Sequence, residues 1–224
     1  MIVEERVIGL EYQLSKLSNE SIIDKIHGIV SNKASVKKQS KNVYLHHNGF
    51  IKMNIFDDFE GNNLAMHFWD RNVFKTSKGL NIHNHRWNFA SRVLFGSIRN
   101  DIYRVKETAE NIYYEYRYSA ERNSNSSLKS NKKRVGLELC KSEYYYQGNE
   151  YFQDMNEIHR IVPIEDIACT LVLRPYAQVK SSLVFDHKKQ EYSGKMGIQN
   201  NSISKDNLLS ILKKVLDKIV TNEK

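Results

Sequence analysis

Residues 79–96 of the chain read Gly-Leu-Asn-Ile-His-Asn-His-Arg-Trp-Asn-Phe-Ala-Ser-Arg-Val-Leu-Phe-Gly. A pair of histidines precedes a run of large apolar side chains, and the glycines at both ends, Gly79 and Gly96, allow the chain to turn. Side chains alternate between the two faces of a β-strand, so His83 and His85 would point to the same face. The stretch therefore predicts a strand that presents two imidazoles to one metal ion.

A third histidine occurs in a second strand-like segment. His159 lies in residues 157–162, Glu-Ile-His-Arg-Ile-Val, and a turn-and-strand pattern precedes it. A His-x-His pair alone is also typical of core histidines. Three neutral imidazoles, however, bind one side of a first-row metal and leave its other positions open for substrate. We therefore expect His83, His85 and His159 to hold one metal ion.

The segments on either side of this stretch indicate the fold class. Thirteen tyrosines and nine phenylalanines favour strands over a helical bundle, and several short strands at close spacing predict a barrel or sandwich. We expect a mainly β protein with a small β-barrel. The polar tract at 119–134 has no apolar pattern and predicts a long hairpin tip or a disordered loop outside the barrel.

Both ends of the chain have a helical pattern. Ile22 and Ile26 belong to an apolar face before residue 30, and Leu208 and Leu212 follow a candidate helix cap at Ser204. The polar residues 31–42 predict a linker. The expected parts are an N-terminal helical segment and linker at 1–42, a barrel at 43–190, and a C-terminal linker and amphipathic helix at 191–224.

Composition restricts the classes of partner. The net charge is +8 and the pI about 9.3, but the lysines are spread along the chain, which favours a basic surface over a nucleic-acid interface. We find no helix-turn-helix pair. The N-terminus has no signal-peptide pattern and no apolar run is long enough to span a membrane. Two cysteines do not make a disulfide framework, so we expect a cytoplasmic protein without membrane contact.

The histidine pattern resembles the cupin superfamily, which has a glycine-flanked His-x-His motif and a later third histidine. Within it, the chain is similar to the three-histidine thiol dioxygenases, the cysteine dioxygenase type, over roughly residues 44–187. The resemblance rests on short matches in sequence, at 82–85, Phe89, Leu94-x-Gly96, 159–161, 63–69, 185–186 and Tyr176. It implies a cupin-type barrel, an Fe(II) ion, a possible homodimer, and Tyr176 as an active-site tyrosine.

Several positions depart from that family. Residues 86–100 lack the glutamate that most cupins carry there. Ala90 stands in place of the crosslinking cysteine, His46 in place of the carboxylate-binding arginine, and Arg174 in place of a histidine near the metal. Cysteine is therefore doubtful as the substrate. Arg174 and Arg86 are alternative anchors for an anion, because a guanidinium grips a carboxylate with two hydrogen bonds.

These residues predict a metalloenzyme that oxidises a small polar or anionic molecule with O2. Tyr176 would donate a proton, Arg174, Arg86 or His46 would fix the anionic group, and Trp87 would form a pocket wall or pack in the core. Two alternatives remain open. One is a redox-silent cupin, an isomerase or lyase using zinc, nickel or manganese as a Lewis acid. The other is a ligand-binding or sensing barrel without catalysis.

Overall fold

The computed structural model describes residues 2–46, 48–59, 62–71, 81–119, 127–189 and 201–221. Over these residues the chain forms four α-helices and thirteen β-strands. The helices are α1 Ile2–Ser15, α2 Asn19–Val30, α3 Lys33–Gln39 and α4 Lys205–Thr221, and a 3-10 turn at Ser40–Asn42 follows α3. The strands are β1 Val43–Leu45, β2 Ile51–Phe59, β3 Asn62–Asp70, β4 Ile82–His83, β5 Phe89–Phe95, β6 Ser97–Val105, β7 Ile112–Ser119, β8 Ser127–Tyr146, β9 Glu150–Gln153, β10 Ile158–Pro163, β11 Ile167–Arg174, β12 Ser181–Asp186 and β13 Asn201–Ser202.

The strands form two antiparallel sheets. One has seven strands in the order β13-β1-β2-β3-β11-β5-β9, and the other closes on itself in the order β10-β4-β12-β7-β8-β6. Gly96 joins β5 to β6 with a φ of +74°, and a Cβ there would lie 2.5 Å from the Ile167 carbonyl oxygen, so the turn requires glycine. The predicted fold class is confirmed at the level of architecture: a mainly β protein with a closed barrel, helices before it and one helix after it.

The seven-stranded sheet has two faces of different character. On β11, Cys169, Leu171 and Leu173 are buried against the helices, in a core that also contains residues of α1, α2, α3 and α4. Thr170 and Arg174, at the alternate positions, line a cavity on the other face. The alternation of side chains along β11 therefore places Arg174 on the cavity face.

The C-terminal helix α4 packs against the helices and the seven-stranded sheet with its apolar face. The side-chain oxygen of Ser204 accepts a hydrogen bond from the Asn207 amide at 3.2 Å, which confirms the cap. Lys214 on α4 donates to buried Asp70 at the end of β3, at 2.8 Å. The segment before α4 also joins the sheet, because β13 pairs with β1.

Two predicted irregular segments are largely regular. Residues 31–42 were expected to be a linker but contain α3, because Asn32 caps the helix by accepting hydrogen bonds from Ala34 and Ser35. The tract 119–134 was expected to be a hairpin tip or a disordered loop, and the disordered loop is wrong for residues 127–134, because β7 runs to Ser119 and β8, its antiparallel partner, begins at Ser127. Cross-strand pairing with β7 stabilises these polar residues, and Leu128 supplies a buried contact that composition did not reveal.

Some predictions fall outside the described residues. These are the turn at Gly79, the middle of the tract at 120–126, and the linker at 190–200. Within the described part of the chain, every helix is too short or too polar to span a bilayer.

Candidate metal centre and its cavity

The barrel strands place two of the three predicted histidines opposite each other. β4 pairs antiparallel with β10 so that His83 is the direct partner of His159. His85 was expected on the same strand as His83, but β4 ends at His83. Beyond it, the Asn84 amide donates to the Leu183 carbonyl and the His85 amide donates to the Met155 carbonyl, both at 3.0 Å. These two hydrogen bonds hold the loop so that His85 still faces the same site.

The three imidazoles converge. One ring nitrogen from each of His83, His85 and His159 lies within 4.8 Å of the other two, so the predicted convergence is confirmed. Nε2 of His85 is 2.8 Å from Nε2 of His159. Two ring nitrogens facing each other at this distance require a proton or a cation between them. Nitrogens bound at right angles to one ion at about 2.0–2.1 Å would be about 2.9 Å apart, so the pair fits a metal ion.

Hydrogen bonds behind the rings fix which nitrogen faces the site. Nδ1 of His83 donates to the Asn81 carbonyl at 3.0 Å, and Nδ1 of His159 donates to Oδ1 of Asn100 at 2.8 Å. Asn100 is itself held, because its Nδ2 donates to Oε1 of Gln153 at 2.9 Å, and Gln153 donates to Glu157. With Nδ1 protonated, Nε2 of each ring presents its lone pair to the site.

Burial keeps these histidines neutral. Desolvation lowers the pKa of His83, His85 and His159 below the ordinary value of 6.5, and for His85 the neighbouring His83 and His159 lower it further. His159 is 1% exposed. Neutral imidazole is the form that binds a metal, so the site is prepared for one at neutral pH.

The centre lies in a cavity of about 270 Å³ between the two sheets. Aromatic side chains form much of its wall, and Phe89 packs edge-on against the His85 ring at a centroid distance of 4.9 Å. The described residues that line it include no aspartate or glutamate, but they include three basic side chains, Lys52, Arg86 and Arg174. A cavity of this size and charge suits a small anionic molecule.

All four predicted substrate-binding residues line this cavity, namely Arg174, Arg86, His46 and Trp87. The guanidinium carbons of Arg174 and Arg86 lie 4.2 and 5.0 Å from the centre of the Trp87 ring, so the indole holds both cations near one another. The His46 ring stacks on Phe50 at 4.5 Å. The structure thus brings the predicted anchors together with the metal centre.

The structure does not bring Tyr176 to the cavity. Its side chain is 57% exposed, and it is absent from the described residues that line the cavity. The reason lies in the backbone: β11 ends at Arg174, and Pro175 follows, so the strand alternation that would place Tyr176 on the same face as Arg174 does not continue. The expected role as proton donor therefore has no support in its position.

Sequence reasoning missed two cavity residues, Lys52 and His67. They are direct cross-strand partners on β2 and β3. Burial, followed by the charges of Arg174 and Arg86, lowers the pKa of Lys52 to about 7. The sequence pattern that could have indicated Lys52 is the alternation at residues 50–55. One face of that strand has Phe50 and Lys52, and the other has three apolar side chains, Ile51, Met53 and Ile55. A lysine in such a pattern normally faces solvent, so the pattern alone did not point to the cavity.

No family model matches the chain, and no curated protein matches it in sequence. Among solved structures, it is similar to hydroquinone 1,2-dioxygenase from Sphingomonas sp. TTNP3 with 4-hydroxybenzoate bound, at 9% identity and a TM-score of 0.33, over 54% of this chain and 62% of that one. It is also similar to a variant of Bacillus subtilis oxalate decarboxylase, at 13% identity and a TM-score of 0.32, over 62% of this chain and 28% of that one. A protein from Shewanella oneidensis matches at 11% identity and a TM-score of 0.25, over 84% and 95%. The chain thus spans less than two thirds of the length of the first two.

Proposed function

We propose that this chain is a cupin-type metalloenzyme, an Fe(II)-dependent oxygenase in which His83, His85 and His159 hold the ion and a small anionic molecule is oxidised with O2. The observation that carries the proposal is the convergence of three neutral imidazoles in a cavity that has no carboxylate among its described lining residues. Three neutral ligands leave the charge of a divalent ion uncompensated, so a substrate anion is attracted to the same place.

The substrate's anionic group would be bound by Arg174 and Arg86. Each guanidinium can donate two parallel hydrogen bonds to a carboxylate, and contact with the Trp87 ring limits the movement of both. Burial of the Arg174 side chain strengthens this interaction relative to one at the surface. His46 lies in the same wall and would contribute a neutral hydrogen-bonding group.

The remaining wall excludes water from the reacting molecule. Phe89, Trp69 and Val172 line the cavity and belong to one buried cluster between the sheets. When bound, an iron ion would supply a centre that is both a Lewis acid and redox-active, next to the bound substrate. A dry cavity strengthens the electrostatic interactions that orient the substrate.

The metal assignment is tested by replacing each histidine with alanine. Variants H83A, H85A and H159A should lose bound Fe(II) by elemental analysis while their thermal unfolding stays cooperative, because the core consists of other residues. The variant H27A is the matched control, since His27 is exposed on α2 and lies outside the cavity. Retention of stoichiometric iron in all three cavity variants would disprove the site.

The reaction is tested by oxygen uptake. The Fe(II)-loaded protein, screened against small thiols, amino acids and carboxylates, should consume O2 with an anionic substrate, and the zinc-loaded protein should not. If iron-loaded protein consumes no O2 and zinc-, nickel- or manganese-loaded protein converts a substrate, the redox-silent reading replaces the oxygenase. Ligand binding without turnover under any metal would instead favour a sensing barrel.

Substrate charge gives a further test. Replacing Arg174 by leucine should weaken binding of an anionic substrate by roughly 2–5 kcal/mol, because a partly buried charge pair is lost. Tyr176→Phe should leave both binding and rate unchanged, since Tyr176 lies outside the cavity wall. Calorimetric titration of both variants measures the difference. A fall in rate with Tyr176→Phe would restore the role expected from the sequence.

A further inference from the structure

A row of polar side chains crosses the cavity face of the seven-stranded sheet. Tyr44, Lys52, His67 and Thr170 are successive cross-strand partners on β1, β2, β3 and β11, and all four line the cavity. The residues on either side of them in sequence belong mostly to the apolar face that packs on the helices. Strand register therefore directs Lys52 into the same space as the metal centre.

Lys52 has only positive or neutral neighbours in this space. Arg174 and Arg86 are the charged residues whose fields act on its ammonium group. The ion pairs between described residues all lie elsewhere, and none includes Lys52. Buried cations in proteins are normally paired with an anion. Lys52 thus has no counter-charge among the described residues.

Other buried polar atoms around Lys52 also lack partners. Nε2 of His67, Oγ1 of Thr170 and Nε of Arg174 are buried and have no hydrogen-bond partner among the described residues. Such atoms are rare in folded proteins, and each calls for a bound group that satisfies it. These three lie on the same sheet face as Lys52, so one ligand in the cavity is able to serve all of them.

We propose that Lys52, Arg174 and Arg86 form the binding site of a small doubly charged anion, a dicarboxylate or a phosphate ester. A dicarboxylate would place one carboxylate at the two guanidinium groups beside Trp87 and the other at Lys52, next to His67 and Thr170. A phosphate ester would share the oxygens of its one phosphoryl group among the same three basic side chains. The inference rests on the proposed function in taking this cavity as the substrate site. It adds the charge of the substrate and a binding residue that the sequence did not indicate.

Two negative charges fit the arrangement better than one. The two arginines on Trp87 suffice for a single carboxylate, which accepts two parallel hydrogen bonds from each guanidinium fork. Lys52 comes from β2, whereas Arg174 ends β11 and Arg86 lies in the loop between β4 and β5, and the Lys52 ammonium is a point charge that pairs with a further anionic oxygen. A singly charged ligand would leave one cation of the cavity uncompensated.

The test compares ligands that differ by one charge. Full-length protein, with and without metal, is titrated calorimetrically at neutral pH with succinate, its monomethyl ester and inorganic phosphate. Succinate or phosphate should bind at least tenfold more tightly than the monoester. Lys52→Met should reduce this preference at least tenfold, and Lys52→Arg, which keeps the charge, should restore part of it. Lys37→Met is the matched control, because Lys37 is exposed on α3.

Each outcome decides the matter. Preference for succinate alone assigns a dicarboxylate, and preference for phosphate alone assigns a phosphoryl ligand. Equal binding of succinate and its monoester, equal behaviour of Lys52→Met and Lys37→Met, or no binding at all would overturn the proposal. The variant H83A, which should lack metal, separates this result from the proposed function, because its anion binding is measured without the ion. If the anion binds but the iron-loaded protein consumes no O2, the oxygenase is rejected and the anion site is kept.

Discussion

Asn100 shows how one buried amide controls the metal centre. It is 2% exposed, accepts from Nδ1 of His159 at 2.8 Å and donates to Gln153 at 2.9 Å. Replacing it with leucine removes the acceptor that fixes the His159 tautomer, so metal affinity should fall about 10–100-fold. Competition with a chromophoric chelator measures the change. Asn111→Leu is the control, because Asn111 is exposed and lies outside the cavity. Equal affinities of both variants would show that Asn100 does not orient the ring.

At the residue scale, the sequence predicted the three histidines but not the other polar side chains of the site. His83 and His85 are recognisable because a period of two applies along any strand, and His159 is recognisable because it lies in a second strand-like segment. Asn100 and Lys52 are not recognisable in this way, since their importance comes from cross-strand register, which a single sequence does not contain. Tyr176 shows the converse, because its spacing matches a family motif and yet it is not among the described residues that line the cavity.

The β7–β8 hairpin is an element whose form the sequence concealed. Residues 127–134 have few apolar side chains because most of this ribbon faces solvent, and Leu128 alone among them belongs to a buried cluster, with Tyr116 and Val184. The cross-strand partner of Leu128 is Tyr118, which lines the cavity. The hairpin therefore joins the surface tract to the cavity wall. Composition predicts whether a segment is able to form a core by itself, but not whether it is able to pair with a neighbour.

Truncating Leu128 tests this element. Leu128→Ala should lower the free energy of unfolding by about 2–3 kcal/mol, because a buried leucine leaves a cavity between β7, β8 and β12. Lys129→Ala, at the exposed neighbouring position, should change it by less than about 0.5 kcal/mol. Urea denaturation followed by tryptophan fluorescence gives both values. If the two variants have the same midpoint, residues 127–134 are a loop after all and the prediction from composition is correct.

At the scale of the whole molecule, the polar cavity proposed for function lowers the stability of the fold. The helices and one face of the seven-stranded sheet form a continuous apolar core, whereas the other face carries Lys52, His67 and Arg174 and lines the cavity into which the closed sheet directs His83 and His159. Burying cations and unpartnered polar atoms costs free energy, and the large core offsets this cost. The same arrangement makes the stability of the metal-free protein dependent on pH, because four histidines are held neutral inside it.

Burial lowers the pKa of His67, His83, His85 and His159 below the ordinary 6.5. Below that pH the unfolded chain binds protons that the folded chain does not, so the unfolded state is favoured as pH falls. The metal-free protein should therefore lose up to about 1.4 kcal/mol per pH unit for each histidine that stays neutral. Urea denaturation at several pH values between about 7 and 5 measures this slope.

Two comparisons identify the origin of the slope. His67→Phe should reduce the slope of unfolding free energy against pH by the contribution of one proton. His67 lines the cavity but does not belong to the group of three converging imidazoles. Saturating zinc should raise the stability at about pH 7, since the ion binds the folded state, and the stabilisation should shrink on acidification, as protons compete for the three imidazoles. Asp101 does not contribute in this range, because hydrogen bonds from Arg99, Ser142 and Arg160 hold its pKa below the ordinary 3.8 in spite of burial. A metal-free protein whose stability is constant between about pH 7 and 5 would mean that these histidines are hydrated and titrate normally, and the closed, dry metal centre would then be wrong.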